Sequence, residues 1–208
     1  MRAAWLVAVL AVAGAGATPR AAAEPAWTRL FDGMALGQWE PTAFGGEGEV
    51  TVEDGVIRVG MGSNLSGITW GGEFPRTNYE LAVDARRDDG IDFFCGLTFP
   101  VGEASCSLIV GGWGGSVVGL SSIDGRDASE NETTSTRSFE SGRWYRVRVR
   151  VTESRIECFL DDEHVVDQAL AGRRISIRDE VQPSQPLGIA TYATAASFRN
   201  LRWRAIDP

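Results

Sequence analysis

Short runs of β-branched and aromatic residues recur along the chain and alternate with polar residues, as is typical of β-strands. The clearest case lies in residues 145–151, where Val147, Val149 and Val151 share one face and the arginines at 146, 148 and 150 share the other. This alternation predicts an antiparallel strand with one face on the core and the other in water. Helical periodicity is not sustained anywhere, and only residues 173–179 are expected to form a short helical turn.

Turn residues separate the apolar runs at roughly 8–12-residue spacing, which favours a β-sandwich or barrel. The predicted strands lie at residues 50–52, 56–59, 79–85, 91–99, 105–110, 117–120, 144–151, 155–160, 165–166, 188–192 and 197–203. Neither an internal repeat nor a low-complexity linker interrupts residues 24–208. We therefore predict one all-β domain over that range.

Several motifs at fixed positions point to a known family. They are Leu-Phe-Asp-Gly at 30–33, Trp39, Val-Glu-Asp-Gly-Val-Ile at 52–57, Tyr-Glu-Leu at 79–81, Asp-Gly-Ile at 89–91, Gly-Arg-Trp-Tyr at 142–145 and Leu-Gly-Ile-Ala at 187–190. Together they resemble the 3-keto-disaccharide hydrolase domains, secreted bacterial proteins related in fold to family 16 glycoside hydrolases. The resemblance implies an antiparallel two-sheet jelly roll of the concanavalin A type. It also implies hydrolysis of a glycosidic bond in an oxidised or ordinary saccharide.

The first 23 residues have the composition of an export signal. Arg2 supplies a short positive region, and residues 3–17 are apolar or small throughout. Small residues at 15–17 and again at 21–23 form two candidate cleavage sites. The apolar run is shorter than the ~20 residues that a membrane span requires. We therefore expect residues 1–23 to be a signal peptide and the mature chain to be periplasmic or extracellular.

The net charge limits the classes of molecule that the chain can bind. The formal net charge is −8, and removal of residues 1–23 takes away Arg2 and Arg20 but no acid, which leaves −10. An acidic chain repels nucleic acid and anionic membrane surfaces, so neither is expected as a partner.

Cys95 and Cys106 lie on two arms of a predicted hairpin, ~10–13 Å out of register. This separation is beyond the ~7 Å limit between the Cα atoms of a disulfide, so no bridge between these two cysteines is expected.

The common hydrolase signatures are absent from the sequence. It contains neither Glu-x-Asp-x-x-Glu nor Gly-x-Ser-x-Gly, and its one histidine, His164, lies in a predicted turn. Glycoside hydrolysis normally uses two carboxyl groups about 5–10 Å apart. Asp84 and Asp92 lie on either side of the predicted turn at 87–90 and are one candidate pair. The alternative is that Arg86 and Arg87, which adjoin the turn, form structural ion pairs with both acids.

The richest polar segment, residues 124–132, follows a glycine-dense stretch around Trp113. Trp113 can stack on a sugar ring, and the acids nearby can bind its hydroxyl groups. The predicted catalytic residues are Asp92, Asp124, Asp127 and Glu130, and the predicted substrate-binding residues are Trp113 and Arg126. No cofactor or metal is expected, although the three loop acids are also suitable Ca²⁺ ligands. The segment is equally consistent with a solvated polar loop.

The strand after the central hairpin departs from the family pattern. Members that look catalytic carry Gly-Tyr-Glu-x-Gln-Ile-x-Asp there, whereas this chain has Ser-Leu-Ile-Val-Gly-Gly at 107–112, with neither acid. Either the site has moved to the 124–132 loop, or the chain does not hydrolyse its ligand. Two main hypotheses follow, an exported enzyme that cleaves saccharides and a non-catalytic saccharide-binding or surface-interaction module. A sandwich without a ligand is the third.

Overall fold

The computed structural model describes Met1 and residues 25–207, which form fifteen strands and little helix. The strands are β1 (Thr28–Arg29), β2 (Trp39–Pro41), β3 (Val50–Glu53), β4 (Val56–Val59), β5 (Leu65–Trp70), β6 (Tyr79–Gly90), β7 (Cys95–Val101), β8 (Ala104–Gly111), β9 (Val117–Ser121), β10 (Ser135–Thr136), β11 (Trp144–Val151), β12 (Arg155–Leu160), β13 (Glu163–Ala169), β14 (Gly188–Tyr192) and β15 (Thr194–Ala205). The helical segments of the described chain are Gly112–Gly115, here called the Trp113 turn, and the 3₁₀ helix Asp179–Ser184.

The strands form two antiparallel sheets that pack face to face. Sheet 1 has the order β13-β12-β11-β6-β15-β4-β3, with β1 added on β15. Sheet 2 has the order β10-β9-β8-β7-β14-β5-β2. Side chains from both sheets form one continuous hydrophobic core. The predicted all-β architecture of two antiparallel sheets is confirmed.

Alternation along β11 places its apolar face on this core. Val147, Val149 and Val151 are fully buried, and they pair in register with Val83, Leu81 and Tyr79 of β6. The intervening arginines lie on the outer face, where they contact acidic side chains of sheet 1. The predicted inward and outward faces of this strand are confirmed.

The turn predicted at residues 87–90, between the strands at 79–85 and 91–99, is wrong. β6 continues to Gly90 and pairs with β11 and β15 in sheet 1, whereas β7 begins at Cys95 and pairs with β8 and β14 in sheet 2. The chain therefore crosses from one sheet to the other at residues 91–94. Phe94, fully buried in this crossover, anchors it in the core.

A hairpin does join β7 to β8, through a two-residue turn at Gly102 and Glu103. Its register places Cys106 opposite Phe99, four residues from Cys95 along the strand. All three cysteines are buried free thiols. Burial raises the pKa of Cys95 and of Cys106 to about 12, so these thiols are poor nucleophiles in the folded chain.

The helical turn predicted at 173–179 is also misplaced, because the 3₁₀ helix begins only at Asp179. The preceding residues are extended and hydrogen-bonded to the loop after β9. Ser122 and Ser176 exchange two backbone hydrogen bonds, and the N–H of Asp124 donates to the carbonyl of Arg174. These pairings use the backbone groups that a helix would need.

The predicted signal peptide, residues 1–23, lies outside the described residues apart from Met1. In the part of the chain that the structure describes, no helix is long and apolar enough to span a membrane.

Candidate functional site

A cleft of about 580 Å³ lies on the outer face of sheet 2. Ser107 and Ile109 of β8 and Ser121 of β9 contribute to its lining. Leu108 and Val110, which alternate with them along β8, belong to the core. Because successive side chains of a strand point to opposite faces, one face of sheet 2 packs on the core and the other, which forms the cleft, is accessible to a ligand. The volume is within the usual range for small-molecule sites.

Aromatic side chains supply much of the lining. Phe93 and Tyr192 stack with ring centroids 6.0 Å apart and 26° between their planes, and Phe44 and Trp113 also line the cleft. Trp113 is 43% exposed and Tyr192 is 41% exposed, unusually high values for such large side chains. Their open faces provide apolar platforms against which the C–H face of a sugar ring can pack.

The Trp113 turn holds its tryptophan in an uncommon backbone conformation. Trp113 has φ of +49°, and Gly114, which follows, has φ of +83°. Positive φ is rare for a bulky residue and often accompanies a functional constraint. The carboxylate of Asp92 accepts hydrogen bonds from the N–H of Gly114 at 2.9 Å and from the N–H of Phe93 at 2.7 Å. Asp92 therefore connects two of the aromatic segments that line the cleft.

A charged group also lines the cleft. The Arg178 guanidinium donates to Glu180 at 2.5 Å and contacts the carboxylate of Asp127. These hydrogen bonds raise the pKa of Arg178, with Glu180 as the main cause. Burial opposes ionisation of Glu180, but its own backbone N–H and the Arg178 guanidinium together hold its pKa below the usual value. Glu180 is therefore an ionised carboxylate at neutral pH, and the two acids are bridged by one cation.

The structure brings some of the predicted site residues together. Asp92 and Trp113 both line the cleft. Asp127 reaches its edge, where it contacts Arg178 and lies 3.4 Å from the hydroxyl of Ser121. These three residues come from three segments of the chain, with β7 and β8 between the first two segments and β9 between the last two.

The other predicted site residues, Asp124, Arg126 and Glu130, are not among the residues that line the cleft. Asp124 accepts a hydrogen bond from the N–H of Arg174 at 2.7 Å. The side-chain amide of Asn131 fixes the loop by donating to three backbone carbonyls. This arrangement leaves Arg126 and Glu130 exposed to solvent.

The acids of the loop also bind different cations. Asp124 contacts Arg173 at 3.2 Å, whereas Asp127 contacts Arg178. Within residues 25–207, no three His, Cys, Asp or Glu side chains converge as metal ligands would.

The candidate pair of Asp84 and Asp92 is not formed. Asp84 lies on the outer face of sheet 1, where it contacts Arg146, Arg199 and Asn200. Asp92 lies in the crossover to sheet 2. The expectation that these two acids approach each other fails because β6 and β7 belong to different sheets.

Sequence reasoning missed Phe93, Arg178, Glu180 and Tyr192. The sequence pattern could have indicated Tyr192, because this aromatic residue ends a predicted strand on the face opposite the buried Ile189. Arg178 and Glu180 gave none beyond local charge, since they reach the cleft only through the way β14 and the 3₁₀ helix pack.

Comparison with known protein families identifies the group to which these features belong. The model of the 3-keto-alpha-glucoside-1,2-lyase-like domain matches residues 26–204. The chain belongs to this family. The resemblance expected from its motifs is therefore confirmed, although a comparison with curated protein sequences finds no match.

Solved structures share the jelly-roll fold at low sequence identity. The Crh5 transglycosylase in complex with NAG superposes with a TM-score of 0.58 at 12% identity, covering 89% of this chain and 85% of the other. The carbohydrate-binding module CBM66 from Bacillus subtilis has a TM-score of 0.52 at 15% identity, covering 81% and 96%. The carbohydrate recognition domain of Emp46p, in a mutant form, gives 0.54 at 12%, covering 83% and 90%. These similarities establish the fold, and the family match makes it carbohydrate-related.

Proposed function

We propose that this protein binds a saccharide in the cleft of sheet 2 and cleaves a glycosidic bond in it, with 3-keto glycosides as the preferred substrates. The description of its family supports the substrate class. The observation that carries the proposal is one cleft that combines exposed aromatic faces with the Arg178–Glu180 pair. Stacking surface, base and cation are what such a cleavage needs.

The 3-keto group makes the hydrogen on C2 acidic. A base removes that proton, and the electron pair moves onto the C3 oxygen to give an enolate. When the carbonyl reforms, a C1=C2 double bond forms, the C1–O bond breaks, and the leaving oxygen takes up a proton. Addition of water to the double bond then completes a net hydrolysis. The main barriers are proton removal and the negative charge on the C3 oxygen.

Glu180 is the proposed base, because its carboxylate is ionised at neutral pH and lines the cleft. Arg178 is the proposed stabiliser of the enolate oxygen, since a fixed cation favours the charge that develops there. Asp127 holds the other side of the Arg178 guanidinium and so orients it. Trp113 and Tyr192 bind the sugar rings.

The test is a panel of glucosides and their 3-keto derivatives, with binding measured by calorimetry and cleavage by release of the aglycone. Wild type should release product from 3-keto glycosides, and Glu180→Gln should reduce the rate by at least about a hundredfold, as for loss of a general base. Glu53→Gln is the matched control, because Glu53 is exposed on β3, where it contacts Arg58 away from the cleft. Unchanged turnover in Glu180→Gln would exclude this base.

Deuterium labelling separates elimination from direct hydrolysis. In D₂O, elimination through an enolate introduces deuterium at C2 in each turnover when water adds, whereas direct displacement at C1 leaves only the exchange that the free 3-keto sugar shows without enzyme. A product without deuterium at C2 would exclude the enolate route.

Saccharide binding without cleavage is the second candidate function. It is favoured by the exposed rings and by Arg178, which stabilises Glu180 in its ionised form and so leaves it unsuited to protonate a leaving group. This function predicts calorimetric binding that depends on Trp113, with no product from any glycoside in the panel.

Export to the periplasm or outside the cell completes the proposal, on the basis of the composition of residues 1–23. Mass spectrometry of the secreted or periplasmic fraction should find a mature N-terminus after position 17 or 23. An intact Met1 on protein from the cytosol would contradict it.

A further inference from the structure

Arg87 occupies a position that the pattern of β6 reserves for the core. The preceding inward-facing residues of the strand are Leu81, Val83 and Ala85, all of which belong to the core. Arg87 continues that row, and only 6% of it is exposed. Its guanidinium lies over the ring of Phe94 at 5.2 Å. A buried cation is costly unless it is hydrogen-bonded, so its partners indicate why it is there.

The partners of Arg87 are backbone carbonyls around the cleft. It donates to the carbonyl of Asp92 at 3.1 Å and to the carbonyl of Gly115 at 3.2 Å. The guanidinium lies beside both ends of the Trp113 turn, since a Cβ added to Gly111, the residue before the turn, would meet it at 2.7 Å and one added to Gly115 would meet it at 3.5 Å. Glycine therefore stands at both ends of the turn where the chain passes close to the arginine.

Asp92 holds the same turn through its side chain, because its carboxylate accepts from the N–H of Gly114. The residue after Trp113 is therefore fixed through its N–H, and the next residue through its carbonyl. Trp113 itself has φ of +49° and an exposed ring. A left-handed conformation is unfavourable for a bulky residue and persists only where the surrounding structure fixes it.

We propose that Arg87 and Asp92 form a clamp that fixes the Trp113 turn, so that the Trp113 ring is already placed to stack on a saccharide. Both are positioning residues that act through Trp113, and Asp92 is neither acid nor base in the reaction. The inference rests on the proposed function only in that the cleft binds a saccharide. Preorganisation of this kind lowers the entropy lost on binding.

The clamp can be tested without any ligand. In protein labelled with 5-fluorotryptophan, the ¹⁹F resonance of Trp113 is assigned by its loss in Trp113→Phe. Arg87→Met should shift or broaden this resonance, and so should Asp92→Asn, because an amide has one acceptor oxygen in place of two. An unchanged Trp113 resonance in both variants would overturn the clamp.

Arg86→Met is the matched control, because Arg86 is the neighbouring residue but points to the outer face. It lies over the ring of Trp144 at 4.7 Å, so its loss should move the Trp144 resonance and leave that of Trp113 in place. If Arg87→Met does not fold, Arg87→Lys replaces it, since a lysine ammonium ends one bond short of the guanidinium nitrogen that donates to both carbonyls.

Binding measurements show whether the clamp acts through Trp113. Arg87→Met should weaken saccharide binding by about tenfold, the loss of a well-placed contact. In the Trp113→Ala background the same change should cause no further loss. Additive losses would overturn the proposal, and so would an Asp92→Asn variant that loses turnover while its Trp113 resonance is unmoved. Absence of any saccharide binding would refute the proposed function but leave the NMR test of the clamp intact.

Discussion

Trp113 combines an exposed aromatic ring with a left-handed backbone. The ring favours ligand binding, whereas the backbone conformation lowers the stability of the fold. The open ring is available for stacking, whereas the positive φ costs free energy in the folded state. Tryptophan is therefore retained at a position where the backbone alone would favour glycine.

The strain at Trp113 can be measured by comparing two small replacements. Trp113→Gly should unfold at a higher temperature than Trp113→Ala, by the equivalent of about 1 kcal/mol, because only alanine carries a Cβ that clashes at positive φ. At ordinary positions glycine is the less stable of the two. The check is thermal denaturation of both variants, and a less stable glycine variant would contradict the assigned backbone conformation.

The lowered pKa of Glu180 predicts that the stability of the fold depends on pH. Its pKa in the folded chain is below the ordinary value of 4.5, so it stabilises the fold above that pH, and this contribution is lost as the pH falls through the lower folded pKa. The difference in melting temperature between wild type and Glu180→Gln should therefore be constant near pH 6–7 and shrink below about pH 4. A gap that widens on acidification would mean that the pKa is raised instead.

At the scale of a strand, alternation determines which substitutions are tolerated. Val149 and Arg150 are adjacent in β11, but Val149 is fully buried between the sheets and Arg150 lies on the outer face, 3.9 Å from Glu157. One position contributes packing, and the other a half-exposed ion pair.

Val149→Ala should lower the free energy of unfolding by about 2 kcal/mol, because it removes two buried methyl groups and leaves a cavity. Arg150→Ala should change it by less than about 1 kcal/mol, as for other exposed ion pairs. Urea denaturation of both variants makes the comparison. Equal losses would indicate that the faces of β11 are wrongly assigned.

The register of the β7–β8 hairpin keeps Cys95 and Cys106 apart, and burial protects all three cysteines. Because Cys106 lies opposite Phe99 rather than Cys95, and because all three thiols are buried, iodoacetamide should modify none in native protein and all three in urea. Intact-mass analysis with and without reductant provides the check. A mass lower by two hydrogens without reductant would reveal a disulfide.

Local sequence patterns predicted the strands better than their partners. The faces of β11 and the β7–β8 hairpin follow from alternation and from a short turn, both of which are local. The assignment of β6 and β7 to different sheets does not, because a hairpin and a crossover between sheets have similar turn residues. Phe94, whose burial fixes the crossover, is only one more apolar residue in the sequence.

For the whole molecule, the site was predicted only in part for the same reason. Trp113 and Asp92 could be identified, since glycines surround one and an acidic turn precedes the other. The density of acids at 124–132 favours a site there, but the carboxylate of Asp124 pairs with the Arg173 guanidinium and accepts a hydrogen bond from the N–H of Arg174. Tyr192 and Glu180 lie far along the chain and join the cleft only through the sheet topology.

That topology has a consequence for how the protein folds. β14, which carries Tyr192, lies between β5 and β7, and both pairings join segments distant in sequence. Such long-range pairings form slowly, so a refolding chain should complete its cleft late. Saccharide added during refolding should then be bound with a lag behind the change in near-ultraviolet circular dichroism. A ligand would thus bind only those chains in which β14 has paired with β5 and β7. The rate at which ligand binding appears would therefore report the rate at which β14 joins sheet 2.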